Sequence, residues 1–148
     1  TDVDDDGADE MITTHGQAIG RDNVLAWRVE KSTPFVKVAG ADVARLPVLL
    51  AVLDLSRDGR PDLLLRETSP LGADGLYIVD GTRGGFAAAE TYVGAIGYGS
   101  IACTAAADVS GDGVPDLLVV TDNRGASSLL VFMNTTPPTF PRRRAARK

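Results

Sequence analysis

A single cysteine and a single histidine in 148 residues leave little material for redox or acid–base chemistry. Cys103 has no second thiol, so no internal disulfide forms. Its neighbours Ile101 and Ala102 lead one to expect a small buried hydrophobe, not a nucleophile. His15 stands in the polar stretch Thr13-Thr14-His15-Gly16 and is expected to be solvated. No Ser–His–Asp or Cys–His set can be assembled without it, and no phosphate-cradling glycine motif is present. An enzyme is therefore not expected. The longest apolar stretch, Leu46 to Leu53, is far too short to span a bilayer as a helix. No stretch combines helical periodicity with capping signals. The first residue, Thr1, opens directly on a polar loop without a signal-peptide pattern, so any targeting segment is expected to have been removed or to lie outside this sequence.

Basic residues are also scarce until the end of the chain. The formal net charge is −5, but up to position 141 ten basic residues face twenty acidic ones, and Arg142, Arg143, Arg144, Arg147 and Lys148 close the sequence. So acidic a body argues against recognition of a phosphate backbone, and no nucleic-acid partner is expected. The tail, residues 139–148, follows Pro137 and Pro138 and reads as a solvated, disordered end.

What the chain does hold is an Asp-rich loop written three times: DVDDDGADE from Asp2, DLSRDGRPD from Asp54 and DVSGDGVPD from Asp108. Each copy has oxygen side chains at positions one, three and five, glycine at six and a carboxylate at nine. Oxygens on alternate residues of a tight turn point at one centre, an arrangement that suits a hard cation with six to eight oxygen ligands, such as Ca²⁺. The copies begin 52 and 54 residues apart, in the range of propeller blades and similar arrays. The flanks keep register. Met11–Ile12, Leu63–Leu64 and Leu117–Leu118 lie nine and ten residues after the first Asp, and Val24, Leu76 and Leu130 lie 22 after it.

Sixteen glycines and eight prolines punctuate the chain as many short strands require. In the second repeat, strands are expected over Val48–Leu55, Leu63–Thr68, Leu76–Val79 and near Ala88–Val93, with turns over Ser69–Gly75 and Asp80–Gly85. Leu63-Leu64-Leu65 is continuously apolar, as in a strand covered on both faces. Four strands joined by short turns make one propeller blade. The fold expected is all-β: about three consecutive partial blades of four antiparallel strands, with units near 1–47, 48–99 and 100–138, either as a segment of a larger propeller or closing by oligomerisation. The first unit lacks an incoming strand and the third an outer one, fewer blades than a closed propeller needs. Exposed blade faces open a route to self-association.

The form D-x-[DS]-x-D-G-x-x-[DE] followed by an apolar strand resembles the calcium loops of FG-GAP or VCBS-type repeats, found in integrin-α-like β-propellers and many secreted bacterial proteins. The stretch LLVFMNTTPP is similar to the end of such a blade. The literal Phe-Gly…Gly-Ala-Pro signature is absent, with only Gly84-Gly85-Phe86 and Gly94-Ala95 as echoes. The resemblance implies that each loop joins the first two strands of a blade and holds a structural Ca²⁺, up to three in all. Loop one would use Asp2, Asp4, Asp6 and Glu10 with the Ala8 carbonyl. Loop two would use Asp54, Ser56, Asp58 and Asp62 with the Arg60 carbonyl, and loop three Asp108, Ser110, Asp112 and Asp116 with the Val114 carbonyl.

An EF-hand is excluded by Thr13, Leu65 and Val119 at the twelfth position, where it needs a bidentate glutamate, and by the β-type flanks. The competing reading is that the aspartates make ion-free Asx-turns. If charge count dominates, affinity runs from loop one to loop three to loop two, whose Arg57 and Arg60 reduce its negative charge. The resemblance further implies a secreted or cell-surface, non-catalytic module that binds an extracellular protein or a glycan. The alternatives are an accessory domain of a secreted enzyme, or a lectin. Tyr92 and Tyr98 flank a glycine-rich connection and are the candidate ligand contacts; Trp27 and Tyr77 are expected to pack into strands.

Overall fold

The computed structural model describes residues 1–16, 22–32, 34–43, 46–67, 74–97, 100–123 and 125–135. Tyr98, the tail 139–148 and part of the expected Ser69–Gly75 turn lie outside them. Among the described residues there are ten strands: β1 (Met11–Thr14), β2 (Val24–Arg28), β3 (Val36–Ala41), β4 (Pro47–Leu53), β5 (Asp62–Glu67), β6 (Asp74–Thr82), β7 (Gly85–Gly97), β8 (Ser100–Ala107), β9 (Asp116–Asn123) and β10 (Ala126–Phe132). Among the described residues no helix is long and apolar enough to cross a membrane. The strands form three antiparallel sheets, ordered β1-β2-β3, β4-β5-β6-β7 and β8-β9-β10. Each is a meander of sequential neighbours, and together they close no ring.

The middle sheet is the four-stranded one, and its β5 explains the apolar run. Because side chains alternate along a strand, Leu63 and Leu65 face the first sheet, packing with Val24, Ala41, Val43 and Val79. Leu64 faces the third, packing with Leu76, Ile96, Leu117 and Val119. All three leucines are fully buried. The stack is therefore sheet on sheet on sheet, with one apolar layer at each junction.

Two expectations need correction. The Asp80–Gly85 turn shrinks to Arg83 and Gly84, because Gly81 pairs with Phe86 and Thr82 with Gly85. The outer strand near Ala88–Val93 accordingly becomes the 13-residue β7, bent by three register shifts. Cys103 is exposed, not buried. It lies on edge strand β8, opposite Val120, which in turn faces Leu129. On that outward face Leu129 is 58% exposed and Val131 43%, so nothing in the described chain covers it.

Candidate functional site

The three loops occupy equivalent places. Loop two joins β4 to β5, loop three joins β8 to β9, and loop one leads into β1. A shared hydrogen-bond scheme shapes them. The first aspartate accepts from the sixth-position glycine: Gly7 N to Asp2 Oδ2 at 2.9 Å, Gly59 N to Asp54 Oδ2 at 2.9 Å, and Gly113 N to Asp108 Oδ2 at 2.7 Å. The fifth aspartate accepts from the seventh residue, so Ala8, Arg60 and Val114 donate their N–H groups to Asp6, Asp58 and Asp112. Ser110 Oγ stands 3.4 Å from Asp108 Oδ1.

Position six is left-handed in every copy (Gly7 φ 91°, Gly59 φ 86°, Gly113 φ 84°), which accounts for the glycine there. Position four is left-handed as well: Asp5 at 63°, Arg57 at 57° and Gly111 at 79°. Only the glycine of loop three announces that in sequence.

The ninth position divides the loops. Asp62 is fully buried and uses both oxygens on backbone: Oδ2 accepts from Leu55 N (2.8 Å) and Ser56 N (3.0 Å), and Oδ1 from Gly81 N (2.8 Å). Asp116 repeats the clamp with Val109 N and Ser110 N on Oδ2, and Asn134 N on Oδ1 at 2.8 Å. Burial between two sheets pushes the Asp62 carboxyl up, against its three N–H donors, and the charge of Asp80 adds to the rise. In Asp116 the Asn134 N–H leads, and the carboxyl lies below the usual range.

In loop one the ninth residue is Glu10, 5% exposed. Its Oε2 accepts from Val3 N at 2.8 Å, while its Oε1 and Asp2 Oδ1 are buried with no hydrogen-bond partner. Asp2, Asp4 and Glu10 each offer a carboxylate oxygen within 4.8 Å of the others. Among the described residues this is the one such acidic group. Uncompensated buried oxygens are costly when empty and are what a divalent cation would satisfy. The residues of loop one thus fit a hard cation. In loops two and three the buried ninth carboxylate is already saturated by N–H groups.

Arginines crowd the acidic loops. Arg28 Nη1 hydrogen-bonds Asp6 Oδ2 and lies 3.7 Å from Asp4 Oδ2, and its Nε reaches Glu30 Oε1 at 3.2 Å. The Ala8 N–H and then Arg28 hold the Asp6 carboxyl below the usual range, while Asp6 and then Glu30 push the guanidinium up. Arg60 Nη1 pairs with Asp58 Oδ2 at 2.6 Å. Arg60 and Arg83 also line a cleft of about 670 Å³ with Asp2, Asp4, Asp5 and Asp6. Asn134 ties neighbouring loops together: its Nδ2 donates to Leu55 O at 3.0 Å and to Pro115 O at 3.2 Å. Sequence reasoning missed Arg28 and Asn134. The signal was there, since Arg28, Asp80 and Asn134 all lie 26 residues after the first aspartate of their loops.

Of the aromatic candidates, Tyr92 is 57% exposed on β7. It pairs across the strand with Tyr77, ring centroids 5.3 Å apart. A hydrogen bond with Glu67, then burial, pushes the Tyr77 hydroxyl up to about 12 and anchors that ring beneath Tyr92. A groove of about 500 Å³ runs beside Tyr92 between the second and third sheets, lined also by Asp80, Thr91, Phe132 and Asn134. Trp27 is half-buried and donates from Nε1 to Thr13 Oγ1 at 2.9 Å. His15 is exposed, with Nδ1 3.0 Å from Gly16 O.

Residues 54–119, from the start of loop two through loop three and into β9, match the FG-GAP-like repeat family. No curated protein and no solved structure matches the chain.

Proposed function

We propose that this chain is part of a cation-stabilised β-propeller-type module, non-catalytic and extracellular, that binds a protein or a glycan. One observation carries the reading: within a repeated loop, Asp2, Asp4 and Glu10 converge and leave Asp2 Oδ1 and Glu10 Oε1 buried without partners. The FG-GAP-like match over 54–119 supports treating the three stacked sheets as successive blades. Calcium, when bound, would supply charge neutralisation to loop one through these three carboxylates. That makes it a structural ion whose binding energy adds to folding energy. Loops two and three carry the same sequence pattern, and there an ion would be held by Asp54, Ser56 and Asp58, or by Asp108, Ser110 and Asp112, with Asp62 and Asp116 engaged on backbone. The bare outer face around Leu129 and Val131 is where self-association would occur.

Carbohydrate is the ligand class favoured by the groove, because Tyr92 offers an exposed ring face beside Asp80 and Thr91, which supply hydrogen-bonding groups. A glycan array probed in millimolar calcium tests this. Retention that Tyr92→Ala lowers by roughly tenfold, the loss of about 1.4 kcal/mol, is expected. No retention of the wild-type chain would remove carbohydrate and leave a protein ligand.

A further inference from the structure

The same loop that gathers three carboxylates also has a guanidinium on it, and we infer that Arg28 is a tethered competitor that sets the cation affinity of loop one. The inference rests on the reading of loop one as a cation site. Glu10, nine-tenths buried with Oε1 unpartnered, marks that site independently of the less buried acidic residues around it.

Arg28 closes β2 and stands between two sets of carboxylates: Asp6 and Asp4 on the loop, Glu30 on its other side. Asp4 belongs to the converging group, and Asp6 is the next oxygen of the loop. A cation entering loop one must take Asp4 and Asp6 away from the guanidinium, and must also approach a fixed positive charge. Both effects weaken binding. Glu30 already holds the guanidinium through Nε while Nη1 rests on the loop, so Arg28 keeps a partner when an ion displaces Nη1 from Asp6.

The three repeats make the comparison internal. The position 26 residues after the first loop aspartate holds Arg28, Asp80 and Asn134. Asn134 is a neutral clamp on Asp116, and Asp80 adds negative charge beside Asp62. Only repeat one places a cation there. This is also the loop with the most acidic residues, and the guanidinium offsets part of that excess. The site is thereby tuned to fill only where the divalent ion is abundant, while the loop stays folded where it is not.

Calorimetric calcium titration of the whole chain tests this, with Glu10→Gln identifying which heat belongs to loop one. Arg28→Gln is expected to tighten that site about five- to tenfold, the worth of one or two exposed ion pairs. Glu30→Gln, which leaves the guanidinium wholly on the loop, is expected to weaken it, and decides the matter if Arg28→Gln fails to fold. Glu10-dependent binding seen only in Arg28→Gln also supports the role. Equal affinity in wild type, Arg28→Gln and Glu30→Gln overturns it and leaves the calcium site standing. No Glu10-dependent binding in wild type or either variant removes the site itself, and the role of Arg28 with it.

Discussion

Leu64→Ala is expected to destabilise the chain by about 3–4 kcal/mol, a large share of the 5–15 kcal/mol that holds an ordinary domain together. The side chain is fully buried on the face of β5 that meets the third sheet. Its neighbours Leu76, Leu117 and Val119 are held in hydrogen-bonded strands of two different sheets, so the backbone cannot collapse into the space vacated. Part of the cost is lost transfer energy and part is the remaining cavity. Leu63→Ala strikes the opposite junction and is expected to cost a similar amount. Urea unfolding gives both values, with the denaturant slope unchanged if the native state stays intact. A loss under about 1 kcal/mol for Leu64→Ala would mean that the second and third sheets do not share a packed core.

Asp62→Ala is expected to cost about 3 kcal/mol or more, because it strands the N–H groups of Leu55, Ser56 and Gly81. The Leu55 donor is buried where β4 enters loop two, those of Ser56 and Gly81 are part-buried, and the last fastens the end of β6. The cost is expected to persist in chelator, since the clamp is made to backbone and not through an ion. Asp116→Ala is expected to act in the same direction at the junction of β8, β9 and Asn134.

The two aspartates differ in their pH signatures. The Asp62 pKa is raised, so between the unfolded carboxylate value and the raised folded one the native state holds the proton more tightly. Stability through this group therefore falls as pH rises across that window. The Asp116 pKa is lowered. Its contribution is present above the unfolded value and lost as pH falls through the folded one. Stability measured against pH in acid is expected to lose the first limb in Asp62→Ala and the second in Asp116→Ala. Costs that vanished in chelator would instead make the ninth carboxylates ion ligands before they are clamps.

Much of this architecture was legible in the residues. The run Leu63-Leu64-Leu65 announced a strand covered on both faces, and the offsets that aligned Leu63–Leu64 with Leu117–Leu118 put both pairs on equivalent strands, β5 and β9. Gly7, Gly59 and Gly113 marked left-handed turns because side chains are disfavoured there. Legibility failed where a residue's role depends on what lies beyond its own strand. Cys103 looks like core by its neighbours, yet it sits on the last sheet's open face, and no local pattern reveals that a face is uncovered. The length of β7 was hidden because Asp80, Gly81 and Gly85 read as turn residues, although Gly81 is paired. Gly81 is needed for a different reason: a Cβ there would stand 2.5 Å from the Pro61 carbonyl.

The candidate site was half legible. Oxygen spacing identified the loops but treated all three ninth positions alike. Asp62 and Asp116 are one methylene shorter than Glu10 and lie within reach of Gly81 N and Asn134 N, so backbone satisfies them, whereas Glu10 keeps an oxygen free. Arg28 approaches loop one from the far end of β2, a relation that only strand pairing creates.

Thermal melting of the whole chain in about 10 mM calcium and in excess chelator, at matched ionic strength, bears most directly on the ion. With extracellular-type affinities of about 10⁻⁴–10⁻³ M, calcium is expected to raise the melting temperature by roughly 3–10 °C, and Glu10→Gln to abolish most of that rise. Coincident wild-type melts in calcium and chelator would contradict a structural ion in loop one and leave the three loops as hydrogen-bonded aspartate turns.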